Sequence, residues 1–185
     1  YLRCIPNLII AAPSNEIELR NLLFTAQQEL KNPIAIRYPR GFGTMIEWQK
    51  PFEEIEIGKG ICLQKGTKIA VLAIGTILKN VQEAIEKLSN NSLFSMYDMR
   101  FVKPLDDNLL HEIFTNHEKI ITIEDGVISG GFGSAILEFA LENKYKNDIK
   151  ILGIPDEFIE HGSVSQLQQK LYLDVESLIH YLNSI

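Results

Sequence analysis

Two arginines flank a stiffened turn in the stretch Arg37-Tyr38-Pro39-Arg40-Gly41, directly after a short apolar run. A guanidinium group is a planar fork that gives bidentate, charge-assisted hydrogen bonds to phosphate or carboxylate. Pro39 restrains the turn, and Gly41 frees the backbone beyond it. In open α/β sheets ligands gather at the carboxyl ends of strands. Arg40 therefore reads either as a phosphate contact or as a structural arginine. Arg37 reads as structural, bonded to carboxylates or carbonyls.

Other constellations are weaker. Gly130-Gly131-Phe132-Gly133 follows a strand and opens a helix, where a dinucleotide pyrophosphate would sit. The spacing fails: with Gly131 and Gly133 as the first two glycines, the third position is Ile136. A tight turn packed against a neighbouring domain or subunit is the expectation. Asp98, Arg100, Lys103, Asp106 and Asp107 form a charged stretch, read as an Asp–Arg ion pair fixing a loop. Glu124-Asp125 could be paired carboxylates for acid–base work, but Gly126 beside them points to a turn. His111, His117, His161 and His180 share no ligand spacing. The first two are expected to be solvated, and His161, in a loop, is the one to watch. Cys4 and Cys62 are expected as buried free thiols in a reducing cytoplasm. No metal motif and no nucleophile–base arrangement is visible, so these residues alone do not define a complete active site.

The elements that must hold them are legible as alternating strands and helices. Residues 8–12 read as a buried parallel strand. Ser14 is a candidate N-cap, with Glu16 and Glu18 in the first turn. Leu19, Leu23, Ala26 and Leu30 keep helical spacing until Asn32-Pro33, and residues 34–38 read as a second strand. This strand–helix–strand unit needs sheet neighbours that it does not itself supply, so it is expected to be the tail of an upstream domain. Residues 41–58, with Gly41, Gly43, Pro51 and the acidic Glu53, Glu54 and Glu56, read as a connector. Beyond it, residues 68–74, 93–99, 119–123 and 149–154 read as strands. Helices between them carry Ile77, Val81 and Ile85, then Leu110, Ile113 and Phe114, then Ile136 and Phe139. Ser163 with Gln166 is a possible capping box, and Asp174 caps a last helix. The expected class is α/β: a three-layer domain with a largely parallel sheet covered on both faces.

Composition narrows the field. Among 185 residues, 18 are basic and 24 acidic, giving a net charge of −6, and 45% are hydrophobic. Such a chain is too apolar to be disordered. Its acidic surplus argues against a nucleic-acid partner. No apolar run approaches the roughly 18–20 residues of a membrane span. The chain opens on Tyr1, so its start is expected to lie inside a longer protein.

Five stretches resemble the 1-deoxy-D-xylulose-5-phosphate synthase family of the transketolase superfamily. They are Tyr1-Leu2-Arg3-Cys4-Ile5-Pro6-Asn7, Ala12-Pro13-Ser14, Arg37-Tyr38-Pro39-Arg40-Gly41, the run from Asp98 through Arg100 and Pro104 to Asp106, and Gly153-Ile154-Pro155-Asp156-Glu157-Phe158-Ile159 with Gly162. Gly130-Gly131-Phe132-Gly133-Ser134 fits the family's Gly-rich turn. The matches keep family order along the whole chain. The resemblance implies that residues 1–43 end the pyrimidine-binding middle domain, 44–57 are a linker, and 58–185 form the transketolase-type C-terminal domain.

It also implies the chemistry. The family condenses pyruvate with glyceraldehyde 3-phosphate on thiamine diphosphate, with loss of carbon dioxide, to feed isoprenoid, thiamine and pyridoxal synthesis. Arg40 matches the arginine that contacts the phosphate of glyceraldehyde 3-phosphate. The family's Mg²⁺ ligands, activating glutamate and catalytic histidines match nothing in this chain. No catalytic, cofactor or metal residue is therefore assigned, and the chain alone is expected to be inactive. A cytoplasmic homodimer is the implied assembly. The rival expectations are a transketolase proper, the β subunit of a 2-oxo-acid dehydrogenase, or a non-catalytic dimerisation domain.

Overall fold

The computed structural model describes residues 1–41, 43 and 49–185; the first part of the expected linker, 44–48, lies outside the described residues. The first crossover is β1 (Ile9–Ala11), α1 (Glu16–Thr25) and β2 (Ile34–Ile36), with β1 and β2 parallel and Ile9 opposite Ile34. Asn15, not Ser14, caps α1: its side-chain oxygen accepts from the N–H groups of Ile17 and Glu18, both at 3.0 Å. The Ser14 hydroxyl is instead engaged with Asp98. The helix stops at Thr25, short of Asn32-Pro33. There the Thr25 hydroxyl donates back to the Asn21 carbonyl (2.7 Å) and accepts from the Ile55 N–H (2.8 Å), tying the end of the connector to the helix.

The larger sheet is built from β3 (Ile61–Gln64), β4 (Ile69–Ile74), β5 (Phe94–Asp98), β7 (Lys119–Val127) and β8 (Asp148–Ile154). Its order is β3-β5-β4-β7-β8, parallel except for the antiparallel edge strand β3. Every residue of β4 is buried, as a central parallel strand covered on both faces requires. On one face α2 (Leu78–Glu86) and α6 (Val175–Asn183) bury Val81, Ile85, Leu178 and Leu182 against Val71, Ala73, Ile121 and Ile123. On the other, α3 (Asp107–Asn116) and α4 (Phe132–Glu142) bury Leu110, Ile113, Phe132 and Ile136 against Ala70, Leu72 and Ile120. The result is the expected three-layer α/β domain. The capping box forms at the start of α5 (Val164–Lys170), and Asp174 caps α6.

The short strand β6 (Phe101–Lys103) leaves this domain and pairs antiparallel with β1, giving a second sheet in the order β2-β1-β6. Arg100, at φ 55°, makes the turn that sends it there. The N-terminal unit therefore finds a neighbour on one side, and Ile9, Ala11, Leu22, Ile55 and Phe101 form a small core of their own.

Two expectations are corrected here. Cys4 and Cys62 are free but exposed, because Cys62 lies on an edge strand and Cys4 in a single surface turn. His117 is buried rather than solvated: its ring nitrogens lie 2.9 Å from the Ile113 carbonyl and 2.7 Å from the Ser95 hydroxyl. It caps the end of α3, where the chain turns into β7.

Candidate functional site

The carboxyl ends of β1, β2, β4 and β7 converge. Arg37, just past β2, reaches Asp125 on β7 with both arms of its fork: Nη1 donates to Oδ1 (2.5 Å) and Nη2 to the Asp125 carbonyl (3.0 Å). The Thr76 hydroxyl stands 3.5 Å from the other carboxylate oxygen of Asp125. Gly75, at φ +76°, lies beside the pair, where a Cβ would stand in ordinary contact 3.7 Å from Asp125 and 3.9 Å from Arg37. Arg37 thus takes the structural part expected of it. Arg40, three residues on, is exposed, and its side chain bonds to no other described residue.

The charged stretch from Asp98 to Asp107 is not one cluster. Arg100 pairs with Glu18 of α1 at 2.6 Å, not with Asp98, because its left-handed backbone carries the side chain toward the N-terminal unit. Asp98 is buried and accepts from the Arg100 N–H at 3.0 Å. Burial pushes its carboxyl up to about 6, against the lowering pull of Ser14, the Arg100 amide and the Arg100 charge. Lys103 donates to the carbonyls of Arg3 (3.2 Å) and Ile5 (2.7 Å). Asp106 caps α3 and holds Lys59 at 3.3 Å, while Asp107 is exposed.

The Gly-rich turn is already filled. Glu124 accepts from the N–H groups of Phe132 (3.0 Å) and Gly133 (2.8 Å), the first amides of α4. Its own carboxylate occupies the place an external anion would take at a helix N-terminus. Burial is the main reason its pKa lies above the usual carboxylate value. A Cβ on Gly131 or Gly133 would fall within 3 Å of Glu124, or of Thr122 and Ile151, respectively. The turn also packs against the N-terminal segment, since Arg3 donates to the Gly130 carbonyl at 3.0 Å and pairs with Glu138 of α4. Glu124 and Asp125 are thus neither an acid–base pair nor turn residues. Each holds a different partner from the end of β7. The only sequence signal for Glu124 was an acid at a strand end a few residues before a Gly-rich helix start.

Among the described residues no group of three His, Cys, Asp or Glu side chains could hold a metal ion. His161 lies exposed in the loop before α5, and the His111 ring is engaged with the Tyr145 hydroxyl at 2.8 Å. With its first amides taken by Glu124, the start of α4 does not fit a diphosphate group. No helix of the described residues is long and apolar enough to cross a membrane.

The family described as "Transketolase, C-terminal domain" matches residues 58–178. Among curated proteins, the chain is 51% identical over 180 residues to a 1-deoxy-D-xylulose-5-phosphate synthase of Bacteroides fragilis, covering 96% of this chain and 28% of that protein. It is 48% identical over 186 residues to the synthase of Phocaeicola vulgatus, covering 100% and 29%. The chain therefore spans under a third of these relatives' length. Among solved structures, a split-gene transketolase described as an inactive β4 tetramer is similar over 99% of this chain and 59% of its own, with a TM-score of 0.83 and 25% identity. Transketolase of Campylobacter jejuni, at 14% identity and a TM-score of 0.66, shares the fold over 100% of this chain and 27% of its own. A family match over more than half the chain, on a five-stranded sheet of the same architecture, carries one conclusion: the chain belongs to the transketolase C-terminal domain family.

Proposed function

We propose that this chain is the C-terminal part of a 1-deoxy-D-xylulose-5-phosphate synthase. The intact enzyme would join pyruvate to glyceraldehyde 3-phosphate with loss of carbon dioxide, working as a cytoplasmic homodimer. Residues 1–43 would end the pyrimidine-binding domain, 44–57 would link, and 58–185 would be the C-terminal domain. The observation that carries this reading is the similarity, along essentially the whole chain, to relatives bearing that name. Thiamine diphosphate, which supplies the electron sink for decarboxylation, and its Mg²⁺ would be held by parts of the intact protein other than these residues.

What this chain contributes is recognition of the acceptor. Arg40 stands exposed at the carboxyl end of a parallel strand, with its guanidinium free of partners among the described residues. A phosphate there would receive a charge-assisted, two-pronged contact. Because the phosphate is remote from the reacting carbonyl, the contact acts on binding more than on the chemical step. In the intact enzyme Arg40→Ala should raise the KM for glyceraldehyde 3-phosphate, at a cost of about 2–4 kcal/mol, and leave the KM for pyruvate in place. Steady-state kinetics with each substrate varied in turn provides the measurement. An unchanged KM and rate for the phosphorylated aldehyde would remove Arg40 from the site.

A further inference from the structure

We propose that Asp125 is a positioning residue for the acceptor site: through Arg37 it aims Arg40 at the substrate phosphate. The proposal rests on the reading of Arg40 given above. Its motive is the geometry at the end of β2. Arg37 is held at two points, by the carboxylate and the carbonyl of the same residue on β7. A fork gripped twice fixes direction as well as distance.

The link from Arg37 to Arg40 is short and stiff. Three residues of fully extended chain span at most about 11 Å. Pro39 fixes one backbone angle, and as a pre-proline residue Tyr38 is held to extended conformations. A displacement at Arg37 therefore reaches Arg40 with little slack. Beyond Arg40 the restraint ends: a Cβ on Gly41 would meet nothing within 4 Å.

The other end of the link is also fixed. Glu124, the neighbour of Asp125, is pinned to the first amides of α4. Asp125 therefore projects from a strand end that cannot swing freely. Gly75, whose φ of +76° favours glycine, lies beside the pair at ordinary contact distance.

A stabilising role is the plainer alternative, and the exposure argues against it. The side chains are 57% and 27% exposed for Arg37 and Asp125. A solvated pair of this kind adds little to stability. Two contacts that add little stability but fix one direction are better accounted for by what they aim.

The test uses the intact enzyme, with glyceraldehyde 3-phosphate and phosphate-free glyceraldehyde as alternative acceptors. Asp125→Asn should lower kcat/KM for the phosphorylated acceptor on the order of tenfold to a hundredfold, mainly through KM. The KM for pyruvate and the kcat/KM for phosphate-free glyceraldehyde should hold. Arg37→Lys, which keeps the charge but loses the fork, should show the same selective loss to a smaller degree. In an Arg40→Ala background, Asp125→Asn should have no further effect, because a residue acting through Arg40 has nothing left to aim. Equal losses with both acceptors, or additive losses in the double variant, would overturn the proposal. If Arg40→Ala itself fails to discriminate between the two acceptors, the acceptor-site reading falls instead. If Arg40→Ala discriminates and Asp125→Asn does not, the positioning role alone falls.

Discussion

Glu124 shows how one buried side chain can fill a motif that would otherwise be read as a ligand site. Its carboxylate satisfies two amides that the start of α4 leaves without intrahelical partners. Glu124→Ala would leave both N–H groups unpaired inside the domain, each costing about 1–3 kcal/mol. Urea denaturation of the variant should show a loss of that order, while Glu124→Gln, which keeps one acceptor oxygen, should lose less. Equal stability of the alanine variant and wild type would mean that water reaches the helix start. The Gly-rich turn was legible in the sequence, and so was its failure as a dinucleotide fingerprint. Its occupant was not. Nor was Asp125 as the partner of Arg37, which lies 88 positions away: only the crossover of strands brings the two together, and no local spacing records it.

The central strands β4, β5 and β7 were legible because burial on both faces demands apolar runs, and the edge strand β8 was legible through its length and its repeated isoleucines. The four-residue β3 and three-residue β6 were not. Both lie at sheet edges, where pairing on one side is enough and the apolar pattern is too short to stand out. The end of β5 also carries a strongly perturbed acid. Asp98 is buried against Ser14, the Arg100 amide and the nearby charges of Arg100 and Glu18, and its pKa stands at about 6 rather than 3.8. The folded state thus holds this proton more tightly than the unfolded chain. The sign follows: stability from this group is complete below about pH 4 and falls as pH rises to about 6. The loss amounts to about 3 kcal/mol. Denaturant titrations at successive pH values should show it, and Asp98→Asn should flatten that slope. A variant that keeps the slope of the wild type would show that other carboxylates carry it.

Across the whole molecule, the strand–helix–strand unit is attached to the five-stranded domain by a small set of contacts. β1 pairs with β6, and Arg100 meets Glu18 with both side chains under a fifth exposed. Arg3 grips the Gly-rich turn, Lys103 holds the first carbonyls, and Arg37 meets Asp125. Most of these are single polar contacts, and the apolar part of the junction is small: Phe101 of β6 in the core under β1, and Ala12 in the core beneath α3 and α4. Regions with few buried apolar contacts open first. The N-terminal unit should therefore open in native conditions without unfolding the larger domain. Glu18→Gln sharpens the test, since it leaves the Arg100 charge poorly compensated in a mostly buried site, at a cost of about 3 kcal/mol. Hydrogen exchange should then lose about a hundredfold in protection at the amides of residues 9–11, while the amides of β4 keep theirs. Equal losses at both places would mean that the two sheets unfold as one body, and the separation of the N-terminal unit as a piece of another domain would lose its physical basis.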